Sequence, residues 1–262
     1  MARRGADRSE IGQLPAPPAG PATAPSTRRK PRGPRKPHRP QELPAGFYDR
    51  PVVEVAEELI GCTVSFGEGS GVIVETEAYH DSEPACHAFT GLTPRTETLF
   101  GPPGRAYVYR SYGIHALLNA VCEPEGVGAA VLIRALQPLE GIEAMRVRRA
   151  VGSRARAVQP RDAGADGRRG RAGGTPAAQS PRDAELCSGP GRLTQALGIW
   201  LSQNGGDLRT GPIRIGPRAE GWEEPHVVIG TRVGITKAVE LPWRFCVAHN
   251  RHVSRPRPTR WG

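Results

Sequence analysis

Two stretches of this chain hold almost no large apolar side chains, and they confine folding to what remains. From Met1 to about Pro44 the sequence is mostly Pro, Ala, Gly and Arg, and it passes through Arg28-Arg29-Lys30-Pro31-Arg32-Gly33-Pro34-Arg35-Lys36. From about Gly152 to Arg182 it is again Arg, Gly, Ala, Pro and Asp without periodicity. Segments this poor in apolar surface cannot offset the roughly 1–2 kcal/mol per residue of backbone entropy lost on ordering. The composition predicts a disordered basic tail over 1–44, a disordered surface insertion at about 152–182 and a short C-terminal tail over 253–262, around one folded domain spanning 45–252. The basic tail reads either as a tether that grips nucleic acid through its phosphates or as a solvated low-complexity extension.

Apolar periodicity identifies the elements of the folded part. Val52, Val55, Ala56, Leu59 and Ile60 recur at helical spacing, and Gly61 stands where a helix stops. The period then drops to two. Cys62, Val64 and Phe66 alternate with Thr63 and Ser65, the cluster Gly67 to Gly71 turns the chain, and Val72-Ile73-Val74 begins the return strand of a hairpin. Tyr107-Val108-Tyr109 and Ala116-Leu117-Leu118 flank Ser111-Tyr112-Gly113 as a second hairpin. Ala129 to Leu132 reads as a buried strand, and Glu140 to Val151 as a helix with Ile142, Met145 and Val147 apolar. Arg192 to Ile199 reads as a helix behind a Gly-Pro-Gly start, and Val227 to Ile235 and Trp243 to Val247 as strands. Hairpins outnumber β-α-β units, which predicts an α+β fold on a mainly antiparallel sheet.

The formal net charge of +10 and pI of about 10.0 point to a polyanionic partner, either nucleic acid or an anionic membrane surface. Lys30, Lys36 and Lys237 are the only lysines; the predominance of Arg, Ala, Gly and Pro matches a high-GC coding bias as well as a binding role. Five cysteines, Cys62, Cys86, Cys122, Cys187 and Cys246, form no C-x-x-C pair, which argues against a disulfide framework or a zinc site and for a reducing compartment. No run approaches the roughly 20 apolar residues of a membrane span, and Met1-Ala-Arg-Arg lacks the apolar core of a signal peptide. A soluble intracellular protein without cofactor or metal is the expectation.

Glu75-Thr76-Glu77-Ala78-Tyr79 ends an apolar strand, and its two carboxylates, two residues apart, share a face. Such a pair is either a solvated rim or the acidic element of a site; Tyr79 and His87 nearby, types that grip a planar heterocycle, favour the second. Aromatic residues make up only 5% of the chain, yet Tyr107, Tyr109 and Tyr112 crowd one short stretch. Either Tyr107 and Tyr109 pack in a core, or one stacks on a nucleobase while Tyr112, beside Gly113 in a turn, projects as a wedge into duplex DNA. Ser188-Gly189-Pro190-Gly191 is open in the same way, between presenting amides to a phosphate and simply starting a helix.

An ordered set of runs resembles the alkyladenine, or 3-methyladenine, DNA glycosylases. The set comprises Phe47-Tyr48, Ile73-Val74-Glu75-Thr76-Glu77-Ala78-Tyr79, His87, Thr93-Pro94-Arg95, Pro103-Gly104 through Tyr107-Val108-Tyr109, Tyr112-Gly113, Asn119, Val131-Leu132-Ile133-Arg134-Ala135-Leu136, Pro138-Leu139-Glu140-Gly141, Leu186-Cys187-Ser188-Gly189-Pro190 and Arg232-Val233-Gly234. The resemblance covers nearly all the folded part and neither low-complexity segment. It implies a single α+β domain on a curved, mainly antiparallel β-sheet flanked by helices, with a protruding DNA-inserting β-hairpin. It further implies Glu77 as general base, supported by Arg134; Tyr79 and Tyr109 sandwiching an everted base; His87 bonding to the base or the sugar-phosphate side; Asn119 screening purine substituents; and Tyr112 filling the gap in the duplex.

These residues suit hydrolysis of an N-glycosidic bond. An enzyme acting on a base must first extrude it from the helix, and a carboxylate beside C1′ can both stabilise the developing sugar cation and deprotonate water. Strand nicking by the same enzyme needs an amine for a Schiff base, and the folded part offers only Lys237, so a monofunctional enzyme is expected. The resemblance implies a monomer of the bacterial cytoplasm, at the nucleoid, acting on double-stranded DNA with damaged purines and not on membranes. The rival readings are a non-catalytic basic nucleic-acid-binding module and a hydrolase of free nucleosides.

Overall fold

The longest strand, β2 (Gly69–His80), is the one on which the sheet is assembled. The computed structural model describes residues 42–44, 46–158 and 182–258; most of the two segments expected to be disordered lies outside these residues, as do residues 259–262 of the expected C-terminal tail. The strands are β1 (Cys62–Phe66), β2, β3 (Ala106–Ser111), β4 (His115–Val121), β5 (Ala129–Glu140), β6 (Ile213–Arg218), β7 (Val227–Gly230) and β8 (Arg244–Val247). They form an eight-stranded sheet in the order β3-β4-β5-β2-β1-β6, with β8 pairing the far half of β2 and β7 pairing β8. Each ladder is antiparallel. The helices are α1 (Val52–Glu58), α2 (Ile142–Val158), α3 (Asp183–Leu186) and α4 (Pro190–Leu197). The fold is α+β, as expected.

Period-two alternation separates two faces. Ala78, Val108, Leu118, Val131 and Ile133 point into the main core, which α1, α2 and α4 cover with Val55, Met145, Leu193 and Leu197. Thr76 on the same face donates its hydroxyl to the Ala56 carbonyl of α1 at 2.7 Å. The opposite face carries a smaller cluster around Cys86, Leu99, Tyr107, Val121 and Ala130, with Tyr79 and Tyr109 packed half-buried against it. Tyr107 pairs with Asn119, Asn119 with Leu132, and Leu132 with Glu77, so one row crosses four strands to the acidic residue before passing to Arg244 of β8. All five cysteines are buried and free, and burial pushes the thiols of Cys62, Cys86, Cys187 and Cys246 up to about 12, which leaves them unreactive.

Several boundaries differ from the sequence reading. Strand β5 runs to Glu140 because the long β2 continues to pair it, and Gly141, at φ 68, then turns the chain into α2. That helix continues to Val158, into the segment expected to be an insertion. Strand β7 stops at Gly230 rather than Ile235, because the next residues leave the ladder and spend their polar groups on β2. Leu43 packs into the main core from within the expected tail, and Val253 and Ser254 are buried although they fall in the expected C-terminal tail.

Candidate active site

The face opposite the main core opens into a cleft of about 710 Å³. Its floor and walls come from alternate residues of neighbouring strands: Tyr79 of β2, Tyr107 and Tyr109 of β3, Asn119 of β4, and Leu132 and Arg134 of β5. His87 is added by the single 3-10 turn His87–Thr90 that follows the loop leaving β2. Glu77 is wholly buried beneath this surface, and the two residues that cover it, Tyr79 and Arg134, are its hydrogen-bond partners. The structure thus brings Glu77, Tyr79, His87, Tyr109, Asn119 and Arg134 together, with Tyr112 at the rim.

Three donors hold the Glu77 carboxylate. Oε2 accepts from the Tyr79 hydroxyl at 2.8 Å and Arg134 Nη1 at 3.1 Å, while Oε1 accepts from the backbone N–H of Val233 at 2.7 Å. Burial raises its pKa, against the opposing pull of Arg134 and these hydrogen bonds. Glu75 has the opposite outcome. Burial alone would raise it too, but Arg134, Arg244 and the Ser254 amide outweigh that and hold it below the usual carboxylate range. It accepts from Arg134 Nε at 2.8 Å, Arg244 Nε at 2.9 Å, Ser254 N–H at 2.7 Å and Ser254 Oγ at 2.9 Å. Two carboxylates on one strand are therefore pushed apart in acidity: Glu75 is held as an anion against Arg134, and Glu77 is the less acidic of the two.

The aromatic walls are as ordered. Tyr107 and Tyr109 stack at 5.3 Å between centroids, and His87 meets the Tyr109 ring edge-on at 4.6 Å. Arg95 Nη2 lies 3.4 Å from His87 Nε2, and the Tyr107 hydroxyl lies 3.2 Å from His87 Nδ1. A guanidinium only donates, so Nε2 is the acceptor and the ring proton rests on Nδ1. Burial and then Arg95 lower the pKa of His87, which keeps it neutral. Burial, and then the adjacent Glu77, drive the Tyr79 phenol far up, so it serves as a donor throughout the useful pH range. Asn119 Nδ2 donates to the Tyr107 carbonyl at 3.0 Å, which fixes the amide plane.

Between Ser111 and His115 the chain turns through Tyr112, Gly113 and Ile114. Tyr112 and Gly113 have φ 49 and 69. Glycine adopts that conformation freely, but a tyrosine does so at a cost of about 1–2 kcal/mol. The Tyr112 side chain is 90% exposed, so no packing in the free protein offsets this strain. Strain without an internal gain marks a residue kept for something outside the chain. At the base of the hairpin a Cβ on Gly191 would lie 2.7 Å from the His115 ring, which explains glycine at the start of α4.

Sequence reasoning missed several contributors. The Val233 amide, the Arg244 and Ser254 partners of Glu75, and Arg95 behind His87 have no role in the sequence reading, which offers Tyr107 a place in the core or in base stacking but not its contact with His87. Arg95 and Val233 belonged to recognised runs, but a backbone N–H carries no residue-type signal at all. Arg244 and Ser254 stood in no motif. Among the described residues no helix is long and apolar enough to cross a membrane.

The chain that builds this aromatic slot over a buried carboxylate is similar in sequence to known proteins. Residues 46–251 match the family described as methylpurine-DNA glycosylase (MPG). A protein of Rhodopseudomonas palustris is 48% identical over 212 residues, 81% of this chain and 87% of its own. One of Bradyrhizobium diazoefficiens is 48% identical over 216 residues, 82% of this chain and 92% of its own. One of Rubrobacter xylanophilus is 46% identical over 207 residues, 76% and 90% of the two chains. Each is provisionally named a 3-methyladenine DNA glycosylase. On the extent of that match, this chain belongs to the methylpurine-DNA glycosylase family.

Proposed function

We propose that the protein is a monofunctional DNA glycosylase that everts alkylated or deaminated purine nucleotides and hydrolyses their N-glycosidic bond, the first step of base excision repair. The observation that carries this reading is the Glu77 carboxylate, buried and raised in pKa by that burial, under a cleft walled by tyrosines. Tyr79 and Tyr109 receive the everted purine between their rings, and Asn119 and neutral His87 test its edges. Glu77 takes a proton from water as the water oxygen bonds to C1′. The C1′–N bond breaks, and its electron pair leaves with the purine. A positively charged alkylpurine leaves directly; a neutral one also needs a proton. Arg134 keeps Glu77 aligned, and the carboxylate stabilises the sugar cation in passing. The product is an abasic site. Lys237, the one lysine among the described residues, is exposed at the cleft wall, and the reaction proposed gives its amine no part in a Schiff base. The enzyme acts as a monomer on double-stranded DNA, in the bacterial cytoplasm at the nucleoid. The formal charge of +10 supports a phosphate-bearing partner.

The test is release of hypoxanthine or 3-methyladenine from a duplex oligonucleotide, read as alkali-labile abasic sites. Tyr112→Ala is expected to weaken binding and base release by roughly 5- to 150-fold, the equivalent of about 1–3 kcal/mol for one lost stacking contact. A rate insensitive to both Tyr112→Ala and added salt would point to free nucleosides instead. Tight duplex binding with no base released would make the protein a binding module.

Tyr79→Phe tests the proton acceptor. It keeps the ring for stacking but removes the donor at 2.8 Å from Glu77, and that hydrogen bond lowers the Glu77 pKa. The acid limb of the rate–pH profile should therefore move to higher pH, with the plateau rate less affected than the limb. An unmoved limb would detach Tyr79 from the proton acceptor.

A further inference from the structure

Arg232 is the most completely enclosed cation among the described ion pairs, and the chemistry above does not use it. Its guanidinium lies between two rings, 4.7 Å from the centroid of Tyr79 and 5.3 Å from that of Trp243. Its edges are spent on Glu83, with Nη1 at 2.6 Å from Oε1 and Nη2 at 3.0 Å from Oε2. Nη1 also donates to the carbonyl of Ala78 at 2.9 Å, and Nη2 to that of Ala238 at 3.2 Å.

Several of those contacts adjoin different parts of the cleft. Ala78 lies between Glu77 and Tyr79 on β2. Glu83 belongs to the loop that carries His87, and its Oε2 also accepts from the Ala85 N–H at 2.8 Å. The next residue in the chain, Val233, gives its N–H to Glu77 at 2.7 Å. A planar cation held against two rings and through both of its Nη atoms, with only Nε left without a hydrogen-bond partner, has little freedom to move, and it ties down the backbone on either side of it.

We propose that Arg232, locked by Glu83, is a positioning residue that sets the Tyr79 ring, the His87 loop and the Val233 amide in one fixed relation to Glu77. This rests on the glycosylase reading for its effect on rate, though the clamp itself can be measured without it. Lysine cannot replace the arginine, since an ammonium neither stacks between rings nor forms the two-pronged pair.

The experiment compares the full-length wild type with Arg232→Lys and Glu83→Gln. It measures single-turnover base release from a hypoxanthine duplex, duplex dissociation constants, rate–pH profiles, melting, and amide hydrogen exchange at Val233. Displacing the amide and the ring should slow base release on the order of 10- to 100-fold in both variants, with DNA affinity unchanged. Val233 should exchange faster, and the acid limb should rise, because the Val233 bond lowers the Glu77 pKa. The other groups facing Glu77 are Glu75 and Tyr79 on β2, Tyr109 on β3, Arg134 on β5, and Arg244 and Cys246 on β8; of these only Tyr79 is displaced by the substitutions, and a weakened Tyr79 bond moves the limb in the same direction. If Arg232→Lys does not fold, Glu83→Gln, which keeps an acceptor for the guanidinium, decides.

Folded variants with wild-type rate and exchange overturn the proposal. So does a rate loss that tracks only the fraction folded, with the acid limb and Val233 exchange unmoved. A wild type that releases no base overturns the glycosylase reading instead, and Val233 exchange then still reports whether the clamp exists.

Discussion

Glu77→Gln is expected to slow base release from a hypoxanthine or 3-methyladenine duplex by roughly 100- to 10,000-fold, the usual contribution of a positioned proton acceptor. The amide oxygen can still accept from Arg134 and Tyr79 in the place of Oε2, while the amide NH2 takes the place of Oε1 and loses the Val233 bond, so most of the site's shape is kept while its basicity is lost. Duplex affinity should remain near that of the wild type. Single-turnover cleavage beside a binding titration separates the two, and a variant with wild-type rate would remove Glu77 from the mechanism. The pH profile carries the same information. Activity needs the ionised carboxylate, and burial raises its pKa from the ordinary 4.5, so the acid limb of the wild type should lie above that value. For stability the sign is opposite: a raised folded pKa contributes fully below the unfolded value and is lost as pH rises through the folded one. At neutral pH an ionised Glu77 is thus carried at a cost to stability, which the proposed proton acceptor would have to bear.

Glu75→Gln should show the converse, lost stability ahead of any lost chemistry. It removes the charge that compensates Arg134 and Arg244, both nearly fully buried, and breaking a buried pair from one side costs about 3–5 kcal/mol. For a domain of this size that corresponds to a melting temperature lower by roughly 6 to 20 °C. Glu75 is held below the usual carboxylate range, so its contribution is present above the unfolded pKa and lost as pH falls through the folded one. Thermal melts of wild type and variant across the acid range should therefore converge at low pH. A variant that melts with the wild type at neutral pH would show that the arginines find other partners.

The two carboxylates show how far local sequence reached. Their spacing on an apolar strand put both on one side, and the structure has both meeting Arg134. Their different fates were not legible, because Glu75 is held by Ser254, 179 positions further along the chain, and Glu77 by the amide of Val233, 156 positions further along. The same holds for the hairpin. Alternation placed Tyr107 and Tyr109 on one face, and the turn residues placed Tyr112 at a tip, but only the sheet register showed that Tyr107 and Glu77 lie in the same row.

By itself, then, the sequence determined the α+β class, the strands that alternate, the glycine-bearing turns and, through its ordered motifs, the residues that meet in the cleft. Those are consequences of periodicity and side-chain type, which act over a few residues and are written in order along the chain. The tertiary structure decided which carboxylate is held as an anion and which has its pKa raised by burial, and which parts of the chain Arg232 meets. Acidity and orientation depend on burial, on backbone donors and on partners brought in from distant strands, and none of these exists until the sheet has closed over them.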